Sequence, residues 1–296
     1  MTPQHTGTPD PAQAAGVWQL GGDTPVSRMG FGAMRLPVKD LRGPQRDPRD
    51  GIAVLRRARE LGVNHIDTAA FYFQGEVRAN LLIKEALAPY PEGLVLATKV
   101  GPSRSPDGAF LPEATPEQLR GQVEQNLTEL GVDRLDLVNL RVGTALDRDE
   151  APLGARFEAL AALQEEGLIK HLGVSNVTGP QLAEARRIAP VTSVQNRYGI
   201  SDRGDEELLR QCTEAGIAYV PFFPLGGKDG AQAARIARVA ERHEVSPAQL
   251  ALAWLLSTSP AVLAIPGTGS LTHLEENVAA TGVRLTEEEL AEVAGD

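Results

Sequence analysis

Asn64-His65-Ile66-Asp67-Thr68-Ala69-Ala70-Phe71-Tyr72 decides how this chain is read. An apolar run entered at Val63 ends in an aspartate and passes into a small-residue loop that carries a tyrosine. Val63, His65 and Asp67 alternate onto one face, the period of a strand. Further on, Leu94-Val95-Leu96-Ala97-Thr98-Lys99 repeats the design and ends in a lysine, with Val95, Ala97 and Lys99 on one face. Core strands that finish in charged residues are the mark of a parallel sheet whose strand ends build a site.

Outward from these two segments, strand-like runs alternate with helical patterns. The expected strands are 29–33, 62–67, 94–99, 135–141, 168–174, 191–195, 217–223 and 261–265. Runs of this number, separated by helix-length segments, predict an α/β fold, a (β/α)8 TIM barrel. An open doubly wound sheet would need a Gly-rich turn into a helix after its first strand. Gly30-Phe31-Gly32 lacks the third glycine and no helical pattern follows at once. Helix starts are marked by capping boxes at Thr115-Pro116-Glu117-Gln118, Thr178-Gly179-Pro180-Gln181, Ser246-Pro247-Ala248-Gln249, Thr272-His273-Leu274-Glu275 and Thr286-Glu287-Glu288-Glu289. Helices 231–243 and 247–257 place an extra helix before the last strand, near the C-terminus. Val17 to Val26 reads as a β-hairpin with a Gly-Asp turn, placed to plug the barrel bottom. Residues 1–15 read as a disordered tail and 16–296 as a single domain.

Composition excludes several classes. A chain of 296 residues that is 42% hydrophobic can bury a large core. Its formal charge of -10 argues against nucleic-acid or anionic-membrane partners. No apolar run reaches membrane-spanning length, and the first residues lack a signal-peptide core. The single cysteine, Cys212, forms no intrachain disulfide and reads as a packing residue on an amphipathic helix. A cytoplasmic monomer or small homo-oligomer acting on a small molecule, with no metal, is the expectation.

Asp67, Lys99 and Arg141 end the second, third and fourth expected strands, and Ser175, Gln195 and Phe222 gather on the same rim. A free phenol titrates near pH ~10, too high for efficient proton donation at neutral pH. A neighbouring ammonium stabilises the phenolate and eases that donation. Asp67 would keep Lys99 charged, and Tyr72 could then protonate a carbonyl oxygen as hydride reaches its carbon. Among Lys39, Lys84, Lys99, Lys170 and Lys228, Lys99 alone ends an expected core strand, a costly place for an unpartnered ammonium. Taken singly, each residue also has a bland reading: a loop aspartate, a rim tyrosine, a lysine reaching for solvent. Their joint placement favours the site.

Gly30-Phe31-Gly32, Asp67 to Tyr72, Lys99, Gly173-Val174-Ser175-Asn176, Gln195-Asn196 and Glu276-Asn277 together resemble the aldo-keto reductase family, in order and spacing, over nearly the whole chain. The resemblance implies an NADPH-dependent oxidoreductase with Asp67, Tyr72 and Lys99 as the catalytic set. It further implies that Ser175, Asn176 and Gln195 bind the nicotinamide carboxamide and that Phe222 stacks on its ring. Gly32, Ala33, Phe223, Leu225 and Gly227 would line the rest of the cofactor. Gly267, Thr268, Ser270, His273, Glu276 and Asn277 would hold the adenosine end, its 2′-phosphate at a helix N-terminus. Met34 and Phe71 would join Tyr72 and Arg141 against the substrate, with pocket walls from loops 102–114, 142–152 and 224–230.

Departures from the family pattern matter. Gly267 and His273 stand where many members carry a lysine and an arginine, which weakens strict NADP preference and leaves NADH open. Arg141 stands where the family usually has a histidine. A guanidinium does not release its proton at physiological pH, so Arg141 is not the acid. It is read as a carbonyl-oxygen donor, against a structural role paired with Asp147 or Asp149. Val138 to Arg141, Val220 to Gly227 and Ile265 to Ser270 most resemble a bacterial pyridoxal reductase branch, which implies reduction of pyridoxal to pyridoxine. A broad aldehyde or ketone reductase and a nicotinamide-sensing regulatory subunit are the alternatives.

Overall fold

The computed structural model describes residues 10–39, 43–105, 107–143, 148–222 and 230–295. Its main sheet has seven strands in chain order: Phe31–Gly32, His65–Asp67, Val95–Val100, Leu135–Arg141, Ile169–Ser175, Val191–Gln195 and Ala218–Tyr219. All adjacent pairs are parallel. Residues 262–264 close the ring. Val262 bridges Tyr219 and Ala264 bridges Met29, both in parallel, with Leu263 N–H donating to Tyr219 O at 2.9 Å and Gly30 N–H to Ala264 O at 2.8 Å. The expected eight-membered barrel is therefore present, its strands shorter than expected at 29–33, 62–67 and 217–223 and its last member held by bridges alone.

Helices clothe the outside. Pro116–Leu130 shows how local the instructions are. Thr115 and Gln118 form the expected capping box, Pro116 suits the first turn, and Gly131 ends the helix at φ 70°. Leu119, Val123 and Leu130 recur on one face and are buried. Thr178, Ser246 and Thr286 cap their helices in the same way. The box expected at Thr272 is not the one used: Ser270 caps Leu271–Ala279, accepting from His273 N–H. Gly230–Arg242 and Pro247–Thr258 form the pair before the closing segment. Cys212 is buried in Glu206–Glu214, and burial pushes its thiol up to about 12, which leaves it inert.

Two corrections concern the N-terminus and the loop after Asp67. Pro11–Ala15, expected within a disordered tail, form a short 3-10 helix. Ala12 is buried and its N–H donates to Leu61 O at 2.9 Å, while Thr281 and Arg284 bond to the carbonyls of Pro11 and Ala14. A small hairpin, Phe73–Gln74 against Val77–Arg78, was not foreseen.

The hairpin Val17–Leu20 with Thr24–Ser27 does form. Leu20 and Val26 enter one cluster with Val95, Ala97, Leu137, Ala218, Val220, Leu263 and Ile265, and Trp18 packs on it. Those barrel residues share the inward parity of Lys99, so the hairpin fills the barrel floor. Each fully buried aliphatic side chain there contributes roughly 1.5–3 kcal/mol. No helix among the described residues is long and apolar enough to cross a membrane.

Candidate active site

Register carries the polar residues to one rim. Asp67 pairs with Ala97, Lys99 with Asn139, and Arg141 with Ser175, which in turn pairs with Gln195. Asp67 and Lys99 are each 3% exposed and Arg141 9%, so three charges are buried at one end of the barrel.

Lys99 Nζ donates to Asp67 Oδ2 at 2.6 Å and to Thr68 O at 3.1 Å. Gln195 Nε2 donates to the other oxygen, Asp67 Oδ1, at 2.7 Å. Both carboxylate oxygens are thus engaged by donors. Burial opposes the Lys99 charge, but Asp67 and Tyr72 more than offset it and hold the ammonium above its ordinary range. Lys99 Nζ lies 4.8 Å from the centroid of the Tyr72 ring. The three residues meet as expected.

Tyr72 is placed by its loop. Its N–H donates to Ala69 O at 3.0 Å and its carbonyl accepts from Ala79 N–H at 2.9 Å. Arg78 ties the loop to the helix Pro116–Leu130: it donates to Ala70 O at 3.2 Å and to Glu129 Oε1 at 2.8 Å. Beneath, a buried network joins Thr68, Asn80, Asn126 and Thr98 through bonds of 2.7 to 3.0 Å. Sequence reading missed this network, because Asn80 and Asn126 sit on different helices and carry no spacing motif.

Arg141 Nη1 donates to Ser175 Oγ at 3.1 Å, and its Cζ lies 4.8 Å over the Phe222 ring. Burial pulls the guanidinium down, while Tyr72, Asp67 and Glu113 favour its charge. Asp149 caps the amide of Ala151, and Asp147 lies outside the described residues. Glu113 was not foreseen either. It accepts from Gly143 N–H and from Arg156, pinning the start of the loop beyond Arg141.

A wall of rings stands beside Tyr72. Phe71 meets Tyr72 edge-on at 5.1 Å and Phe110 at 6.5 Å, and Arg104 covers Phe73 and Phe110 at 4.8 and 5.8 Å. Phe110 is 59% exposed. It comes from the 102–114 loop expected to wall the pocket. Met34 is half-buried in the turn Ala33–Arg35 beside Gly32.

The Aldo/keto reductase family model matches residues 28–295. The chain belongs to the aldo/keto reductase family. It is 47% identical over 276 residues to pyridoxine 4-dehydrogenase of Escherichia coli (strain K12), covering 93% of this chain and 96% of that protein. Its fold is similar to a thermostable aldo-keto reductase in complex with the inhibitor epalrestat (TM-score 0.79, 29% identity, 94% of this chain and 98% of the other). It is also similar to an aldo-keto reductase from Klebsiella pneumoniae in complex with NADPH (TM-score 0.74, 28% identity, 94% and 93%).

For this reductase, the residues expected at the nicotinamide end lie together. Ser175, Asn176 and Gln195 are buried on adjacent strand ends, and Asn176 N–H donates to Gln195 O at 2.9 Å. Asn176 takes a left-handed φ of 62°, a conformation asparagine tolerates. Its Nδ2 donates to Val142 O at 2.9 Å. Gln195 Oε1 is buried without a hydrogen-bond partner among the described residues. An orphaned acceptor costs about 1–3 kcal/mol, so it marks a place where a donor is missing, and a carboxamide N–H fits it. At the other end, Gly32 and Gly267 are in backbone contact: a Cβ on Gly267 would lie 2.5 Å from Gly32 O. Thr268 is buried, and its Oγ1 accepts from Ser270 N–H at 3.1 Å. Glu276 and Asn277 lie on the helix Ser270 caps. Phe223, Leu225 and Gly227 lie outside the described residues.

Proposed function

We propose that this aldo/keto reductase reduces an aldehyde to an alcohol with NADPH, its physiological aldehyde being pyridoxal. The convergence of Tyr72, Lys99 and Asp67 beside a buried Arg141 carries the reading. Bound NADPH would supply the hydride to the carbonyl carbon. Tyr72 gives its hydroxyl proton to the carbonyl oxygen, so the product leaves as a neutral alcohol. Lys99 stabilises the phenolate that remains, and Asp67, held by Gln195, keeps Lys99 charged and in place. Arg141 donates hydrogen bonds to the oxygen as negative charge builds on it. The orphaned Gln195 Oε1, with Ser175 and Asn176, would orient the carboxamide.

Two observations support pyridoxal over aldehydes in general. One is the 47% identity to pyridoxine 4-dehydrogenase. The other is chemical: pyridoxal carries an ionisable phenolic oxygen beside its aldehyde, and a fixed cation can hold both oxygens at once.

Steady-state NADPH oxidation by wild type and Arg141→His, with pyridoxal and with benzaldehyde, tests this. The variant should lose about 10- to 100-fold in kcat/KM for pyridoxal relative to benzaldehyde, the worth of one charge-assisted hydrogen bond. An unchanged ratio returns the protein to a broad-specificity reductase. Absence of multiple turnover with any aldehyde would favour a nicotinamide-sensing subunit instead.

A further inference from the structure

The loss of the usual cations at Gly267 and His273 leaves the adenosine end short of positive charge, yet the fold brings one there from elsewhere. We propose that Arg46 is the residue that recognises the adenosine 2′-phosphate and so sets the preference for NADPH over NADH. The inference rests on the cofactor reading above.

Arg46 precedes the first barrel helix, far in sequence from the closing segment. Its backbone is fixed by Arg46 N–H donating to Pro37 O at 3.0 Å and by the bridge between Val38 and Gln45 beside it. One edge of its guanidinium is anchored: Nε donates to Val38 O at 3.1 Å and Nη2 to Lys39 O at 3.3 Å. That leaves Nη1 with no hydrogen bond among the described residues, and no carboxylate there pairs with Arg46. The adjacent Asp47 is taken by Arg49, at 2.5 Å.

The guanidinium lies against the turn Gly267-Thr268-Gly269-Ser270. A Cβ on Gly269 would stand 2.5 Å from both Cζ and Nε of Arg46, and 2.8 Å from Nη1. Any other residue at 269 would push the cation away. Gly269 is therefore explained by Arg46, and the pair exists at the place where the anion is expected. Next to it, Leu271–Ala279 begins with Ser270 as its cap, and the amides of Leu271 and Thr272 have no acceptor within the helix. A held cation with a free edge, beside a helix start, is a complete phosphate-binding set. The half-buried Arg35 adds its side chain to the wall of the same turn, its Cγ 3.7 Å from a Cβ built on Gly267.

Isothermal titration of wild type, Arg46→Gln, Arg46→Lys and Gly269→Ala with NADPH, NADH, adenosine 2′,5′-bisphosphate and AMP tests the proposal without catalysis. Wild type should prefer the 2′-phosphorylated member of each pair, less so at high salt. Arg46→Gln should weaken NADPH and the bisphosphate about 10- to 100-fold while NADH and AMP stay within about twofold, as expected for one charge-assisted contact. Arg46→Lys should keep much of the preference, and Gly269→Ala should lose it by displacing the guanidinium. Equal weakening of NADPH and NADH would make Arg46 a structural residue and overturn the proposal, as would an unchanged Arg46→Gln. A wild type that binds NADH as tightly as NADPH sinks the proposal and spares the reductase reading. A wild type that binds no nicotinamide nucleotide sinks both.

Discussion

The two ends of the barrel interior are built on opposite rules. At the floor, Leu20 and Val26 from the hairpin meet Val95, Ala97, Leu137 and Leu263 in an apolar cluster. At the rim, Asp67, Lys99 and Arg141 are just as buried, and each needs partners to be tolerated. Taking paired charges out of water is at best neutral for stability, whereas closing an apolar floor is favourable. The difference teaches that the floor stabilises the barrel that holds the rim in place. His65 is buried on the strand that ends in Asp67, paired in register with Val95 of the floor. Burial, outweighing the opposing pull of Asp67 and of the Ser27 backbone, takes its pKa from the usual 6.5 to about 4.

This contrast can be broken at either end. Tyr72→Phe should lower kcat by roughly 10²–10⁴-fold, the range for a lost general acid, with an unchanged melting curve. A comparable loss of melting temperature would mean that the rim also holds the fold together. Lys99→Met leaves the Asp67 carboxylate buried and should cost about 3–5 kcal/mol in urea unfolding, whereas Lys99→Met with Asp67→Asn should recover much of that. At the floor, Leu20→Ala should cost about 2–5 kcal/mol yet leave kcat/KM near wild type for the folded fraction.

The smallest effect concerns His65. Its folded pKa lies below its unfolded one, so on acidification the unfolded chain takes up the proton first. Stability is complete above about pH 6.5 and declines as the pH falls towards about 4. Between pH 7 and pH 5 the loss should be about 2 kcal/mol. In His65→Gln that part of the pH slope should vanish, and urea titrations at the two pH values would show it.

What was legible in the sequence was what is local. Thr115, Thr178, Ser246 and Thr286 cap through residues three positions on, so their helices could be placed by inspection. Strand parity put Lys99 and Asp67 on one face before any contact was known. What escaped was long-range. Pro11–Ala15 are ordered by carbonyl contacts with Thr281 and Arg284, at the other end of the chain. Ser270 outcompeted Thr272 as a cap because the turn from the closing segment delivers it first. Glu113 and the Asn80–Asn126 pair act between elements, and Arg46 meets Gly269 only once the barrel has closed.

The hairpin closes the floor of the barrel, so the described site residues face the rim. In the proposed reaction each turnover would leave Tyr72 without its proton, and the apolar cluster of Leu20 and Val26, with Trp18 packed on it, stands against a route from below. Under that proposal the proton would return from the rim, past Arg141 and the ring wall, by the side from which the alcohol leaves. Resetting the acid and releasing product would then share one passage, and anything that lingers there would delay both.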